Sequence, residues 1–237
     1  MAPVTGLPSG TVRGVAAAAV AIAVSTLADP WVAQHLTYPE VYEHDWGRFL
    51  RVMGFLPTWF AVALALGLTD RARGGERWWL RGTLLALGPT LSGIAGELLK
   101  LVVRRERPPA QGAEYIFRPW SDHPFATGGL GLPSSHTVVA FGAAATLARL
   151  FPEARVVWYV LAAGCGITRV LAHAHFLSDV VVAAALAIGV VALMWPSATG
   201  AAATSTPPGA GDAGTPSDSS TRYGRSPARP TPPRPPG

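Results

Sequence analysis

Three short polar clusters interrupt a largely apolar chain, and their residue types suit one kind of chemistry. The first is Lys100 with Arg107 and Pro108, the second is "PSSH" from Pro133 to His136, and the third holds Arg169, His175 and Asp179. Cations can hold the equatorial oxygens of a phosphoryl group while one histidine attacks phosphorus and another protonates the leaving oxygen. His175 and Asp179 stand four apart, one turn along a helix face, where a carboxylate can accept from one ring nitrogen and leave the other free to attack. Ser134 stands where a helix N-cap would, and a helix N-terminus with its free N–H groups is an anion site. Lys100 is the only lysine among nineteen basic side chains.

Each cluster also has a plain structural reading. Arginines at a helix end snorkel to lipid headgroups. On helical spacing Lys100, Arg104 and Arg107 share a face if the helix continues past Val103, while Arg105 points elsewhere and reads as a headgroup contact. Pro108 ends that helix and biases Arg107 toward extended backbone. Glu97, one turn before Lys100, reads as its ion-pair partner. Ser134 and His136 alone read as a cap and an interfacial histidine, and His175 with Asp179 as a helix-stabilising pair. His173 points to another face and has no assigned role. A zinc site built from the histidines fails on spacing and on the lack of further ligands.

The elements that must position these clusters are membrane helices. The chain has 237 residues, 49% hydrophobic and only 14% charged, with a mean hydropathy of +0.30; a soluble domain averages about 25% charged residues. Six runs approach the ~17–25 residues needed to cross a bilayer: 12–28, 53–69, 82–103, 134–151, 155–172 and 176–195. They are rich in Gly and Ala, which suits close helix packing in lipid, and Trp31, Trp78, Trp79 and Trp195 lie near their ends. The expected fold is all-α, a six-helix transmembrane bundle. A short segment 1–11 precedes the membrane domain 12–195, and a Pro-rich tail 196–237 follows. That tail holds ten of the 22 prolines and cannot bury enough apolar surface to order itself. The first run also fits a signal peptide ending at "TLA" before Asp29; a retained helix is preferred, because five further spans follow.

Parity brings the clusters together. The first two flank one loop, and the third follows two more crossings, so all three lie at one membrane face. Segment 70–81 carries four arginines, whereas 29–52 carries two arginines and four acids. The positive-inside rule then places 70–81 and both termini in the cytoplasm and the clusters outside. The formal charge of +5 does not imply nucleic acid, since no basic stripe is interleaved with aromatics. The lone Cys165 cannot form an intrachain disulfide and reads as packing.

Taken in order, Lys-x6-Arg-Pro, Pro-Ser-x-His and Arg-x5-His-x3-Asp resemble the motifs of the phosphatidic acid phosphatase type 2 superfamily over residues 10–195. The resemblance implies a six-helix core and lipid-phosphate hydrolysis with neither metal nor cofactor. It implies that Lys100, Arg107 and Arg169 bind phosphate with help from Ser134 and the amides after it. It further implies that His136 is the general acid, and His175 the nucleophile oriented by Asp179. Ser135 occupies a place where the family has glycine, so its Cβ tightens the phosphate site, and Thr168 replaces the usual serine before Arg169. The expected partners are a lipid-phosphate substrate and the bilayer. An outward site at headgroup level favours an isoprenoid diphosphate such as undecaprenyl diphosphate, with phosphatidic acid or phosphatidylglycerol phosphate next. A lipid phosphotransferase, a vanadate-dependent haloperoxidase, a transporter and a binding protein are the rival readings. The haloperoxidase reading conflicts with the six apolar runs. Nothing in the sequence fixes an oligomeric state.

Overall fold

The computed structural model describes residues 9–110 and 112–204, whose named elements are all helices, with loop and two isolated β-bridges between α-helical Val103 and Ser135. Seven α-helices run in the order α1 (Ser9–His35), α2 (Asp45–Val52), α3 (Leu56–Ala72), α4 (Trp78–Val103), α5 (Ser135–Leu150), α6 (Arg155–Leu171) and α7 (Leu177–Thr204), with short 3₁₀ turns at Pro39–Tyr42 and Pro152–Ala154. Four helical stretches are long and apolar enough to cross a bilayer: Gly10–His35, Trp78–Val103, Pro152–Leu171 and Leu177–Trp195. The pair α2 and α3 meets the same test only as one span bent by 65°.

The described residues thus hold four such stretches, or five with the bent pair, and not the expected six, because α5 falls short. Helix α5 has 16 residues, about 24 Å at 1.5 Å per residue, against ~30 Å of hydrocarbon. It needs little lipid-facing surface of its own. Thr137 to Ala140 and Gly142 to Leu147 are buried, and α4, α6 and α7 all pack on it. The approach to α4 is close because both helices lack a Cβ at the crossing: a Cβ on Gly88 would meet Thr146 Oγ1 at 2.0 Å, and one on Gly142 would meet Ser92 Oγ at 2.7 Å. Small residues permit this contact in lipid, where packing rather than hydrophobicity drives helix association. The core around α5 includes Met53, Trp59, Leu85, Leu147 and Cys165, so the expectation that Cys165 is packing holds.

Three expectations from the sequence need correction. Residues 29–52, read as a connection, contain the end of α1 and all of α2. Helix α2 is short and amphipathic, and it packs on α6 rather than contributing an apolar run. Helix α1 spans 27 residues, longer than the run 12–28, because "DPWVAQH" continues it through Pro30 with its apolar face against α7. The tail boundary at 196 falls inside α7, whose backbone stays helical to Thr204 through three good helix formers, Ala201 to Ala203. The remainder of the expected disordered tail, 205–237, and most of the N-terminal segment 1–11 lie outside the described residues.

Candidate active site

The C-termini of α4 and α6 and the N-termini of α5 and α7 meet at one end of the bundle, bringing the three polar clusters together. Helix α4 stops at Val103 because Arg104 turns left-handed, with φ at 57°, and its N–H bonds to Lys100 O at 2.8 Å. A left-handed non-glycine residue costs about 1 kcal/mol, which its side chain offsets. The Arg104 guanidinium is 2% exposed and donates to the carbonyls of Arg118, Pro119, Asp122 and Pro124 at 2.6–3.1 Å. It holds the loop between α4 and α5 in shape. Arg104 therefore does not share a helix face with Lys100 and Arg107, as continued helix would have required.

The same break turns Arg105 inward. Rather than touching headgroups, Arg105 donates to Asp179 Oδ1 at 2.6 Å and to Ser178 Oγ at 2.7 Å. Its guanidinium carbon lies 4.8 Å from the Tyr115 ring centre and 5.3 Å from that of Phe176. Ser178 donates its backbone N–H (2.9 Å) and its hydroxyl to the carboxylate of Asp29, which is fully buried on α1. Tyr115 donates to the same carboxylate at 2.8 Å. Burial, followed by the Asp29 charge, pushes the Tyr115 phenol up to about 12, so it stays a donor across the physiological range. Sequence reasoning missed Arg105, Asp29, Ser178 and Tyr115. For Asp29 a signal was available: a lone carboxylate beside an apolar run is costly in a membrane unless it has a partner.

The Nδ1 of His175 lies 2.9 Å from Gly131 O but 3.5 Å from Asp179 Oδ2. The expected Asp179–His175 bond is thus the longer of the two contacts, because Asp179 Oδ2 already accepts the Phe176 N–H at 2.8 Å and Oδ1 faces Arg105. A carbonyl oxygen only accepts, so Nδ1 carries the proton, and Nε2 of the neutral ring keeps its lone pair. Gly131 fits because a Cβ there would lie 2.8 Å from Glu106 O and 3.0 Å from Asp179 Oδ2. Burial lowers the pKa of His175 below the ordinary histidine value; Asp179 opposes the shift, while Arg169 and Arg107 add to it.

Lys100 Nζ donates to Ser135 Oγ and, at 3.0 Å, to Glu97 Oε1, and Ser135 Oγ donates to that same oxygen at 2.7 Å. The expected Glu97 pair is present, and the residue in place of glycine is part of the Lys100 anchorage. Ser134 occupies the N-cap position, but its side chain makes no capping bond; instead its hydroxyl accepts from Thr137 at 3.0 Å. No side chain therefore closes the N-terminus of α5. His136, half-buried, lies within the electrostatic reach of Arg169, Arg51, His175 and Lys100. Arg169 is 6% exposed and donates from Nη1 to Tyr42 Oη at 3.0 Å. Arg107 is exposed, and among the described residues no carboxylate pairs with it. His173 turns away and contacts Pro109 O at 2.9 Å.

Helices of membrane-crossing length thus bring cations and imidazoles together beside the N-terminus of α5, at one end of a membrane protein. The sequence profile of the PAP2 superfamily matches residues 81–201, more than half of the chain, and the chain belongs to that superfamily. Among curated proteins it is similar to lipid A 1-phosphatases of Rhizobium johnstonii and Rhizobium etli, each 34% identical over 113 residues. Those matches cover 47% of this chain and 44% and 46% of the two relatives, so the chain spans under half the length of either. No solved structure matches it significantly.

Proposed function

We propose that the chain is an integral membrane phosphatase that removes a terminal phosphate from a lipid through a phosphohistidine on His175. The orientation of His175 carries this reading: its Nδ1 proton goes to the Gly131 carbonyl, which leaves Nε2 as the nucleophile. Lys100, Arg107 and Arg169 hold the phosphate oxygens, and the amides after Ser134, with Ser135, add donors at the start of α5. Nε2 attacks phosphorus as the bond to the leaving oxygen breaks, and His136 gives that oxygen its proton. Water then attacks the phosphohistidine, its proton returns to His136, and inorganic phosphate leaves. The developing imidazolium is balanced by Asp179. The three cations take the place that magnesium holds in other phosphoryl-transfer sites, so the reaction needs no metal or cofactor.

The arginines of 70–81 favour an outward site with both termini in the cytoplasm. At that depth the phosphate sits at headgroup level of a bacterial cytoplasmic membrane, and our preferred substrate is an isoprenoid diphosphate, hydrolysed to the monophosphate. The names of the two relatives favour a second reading, a glycolipid 1-phosphate. Replacing His175→Ala in purified, folded protein is expected to cut turnover by about a thousandfold or more and to abolish an acid-labile phosphoenzyme present in the wild type. Near-normal turnover of the variant would refute the assignment. Comparing kcat/KM for undecaprenyl diphosphate, lipid A and phosphatidic acid in the same micelles decides the substrate.

A further inference from the structure

The short helix α2 places one more cation at this site, Arg51, which none of the three motifs contains. Gly54, just after α2, lies so close to His136 that a Cβ there would sit 2.6 Å from the His136 Cβ. One turn back, the Arg51 guanidinium carbon lies 4.8 Å from the centre of the Tyr42 ring. Tyr42 in turn accepts from Arg169 at 3.0 Å and donates to Thr168 O at 3.1 Å. Tyr42 thus joins a buried arginine of the phosphate cluster to an exposed one on α2. Among the described residues no carboxylate pairs with Arg51, whereas its helix neighbour Arg48 faces Asp45 at 3.7 Å. An unpaired guanidinium held by ring stacking beside a phosphate site is poised for a further anionic oxygen.

We propose that Arg51, supported by Tyr42, forms a second phosphate subsite that takes the inner phosphate of a lipid diphosphate. The proposal rests on the phosphatase reading above and extends it. On that reading His136 marks the leaving-group side, and Gly54, three residues beyond Arg51, packs against His136. When Nε2 of His175 attacks the terminal phosphorus, the bridging P–O bond breaks. The bridging oxygen takes the His136 proton and leaves as the lipid monophosphate. The oxygens of that leaving phosphate face Arg51, whereas a lipid monophosphate has only an alcohol to place there. Arg51 therefore contributes to selection of diphosphates.

The test measures kcat/KM for undecaprenyl diphosphate and undecaprenyl monophosphate in one detergent, using wild type, Arg51→Ala, Arg51→Lys and the charge-matched control Arg48→Ala. Arg51→Ala is expected to lower the diphosphate-to-monophosphate ratio about tenfold, the factor for roughly 1.4 kcal/mol. Arg51→Lys should keep part of the ratio, and Arg48→Ala should keep it at the wild-type value. An unchanged ratio in Arg51→Ala, or an equal fall in Arg48→Ala, overturns the subsite and leaves the phosphatase reading standing. A wild type that hydrolyses neither lipid overturns the subsite, and one that also leaves lipid A and phosphatidic acid intact overturns the phosphatase reading.

Discussion

The buried pair Arg105–Asp179 offers a sharp test of how the site is supported. Its ion-pair distance is 2.6 Å, and the two side chains are 7% and 0% exposed. Removing one partner of such a pair leaves an uncompensated buried charge, at a cost of about 3–5 kcal/mol. Asp179 would keep the Phe176 N–H, so Arg105→Met should fall at the lower end, about 3 kcal/mol. In a chain of this size each kcal/mol moves Tm by roughly 2–4 °C, which gives a drop of about 6–12 °C. The double variant Arg105→Met/Asp179→Asn no longer buries a lone charge and should recover most of that loss. Its turnover should stay low, because the carboxylate that balances His175 is gone.

The assay is loss of tertiary signal on heating in detergent micelles, beside kcat/KM for a lipid phosphate on the same preparations. Arg105→Lys keeps the charge without the planar fork and should fall between. If Arg105→Met melts within about 1 °C of wild type and turns over normally, Arg105 is a headgroup contact, as its helical spacing alone suggested. If the double variant melts lower than the single one, the loss comes from packing and not from an unpaired carboxylate.

Three further predictions follow from the same geometry. Burial lowers the His175 pKa, so the unfolded ring binds protons in acid that the folded ring refuses. This group's contribution to stability is complete above the ordinary histidine value of 6.5 and is lost as pH falls toward the folded value. The acid limb of kcat/KM should therefore lie below that value, and a limb at or above it, moved by no variant of His175, would sink the nucleophile assignment. Activity should survive EDTA and be inhibited by vanadate as a phosphate mimic; loss on chelation restored by one divalent ion would show that the cations do not act alone. Trp120, exposed on the loop between α4 and α5, reports the side of the membrane. A Trp120→Cys variant also carrying Cys165→Ala should react with an impermeant thiol reagent in intact spheroplasts, and labelling only after lysis would reverse the orientation.

How much of this was legible in the sequence follows from the kind of signal each residue carries. Lys100, Ser134, His136, Arg169, His175 and Asp179 stand out as polar groups against apolar runs, and helical parity alone brings them to one end. The longer helices were legible for the same reason. Arg105 was not, because its direction depends on the left-handed turn at Arg104, and no pattern of hydrophobicity marks a single φ angle. Once the helix stops at Val103 rather than running on to Arg107, every side chain after it points somewhere new. Helix α2 was hidden because its eight residues cover only about two turns, too short a period to separate from a loop. The partner of His175 Nδ1 was hidden because it is a backbone carbonyl, which any residue at 131 would supply; only the crowding around a Cβ there shows why glycine stands at that position.

Satisfied and unsatisfied groups divide the site in two. Asp29, Arg104, Arg105, Ser178 and Asp179 are all at most 6% exposed, and each is bound to at least one partner in the protein. They have little left to offer a ligand, and their bonds tie α1, the loop and α7 into one frame. Arg51, Arg107 and His136 are half-buried or exposed, and on the proposed reading they and the uncapped start of α5 are the groups that would meet a phosphate. A preorganised site needs both sets, because donors aimed at an oxyanion help only if they need not reorganise when it arrives. The cost of burying the first set falls on folding, where the ion pair and hydrogen bonds offset it. On this view a substitution in the buried frame should lower Tm and turnover together, whereas one at the open face should alter KM or substrate choice with little change in Tm.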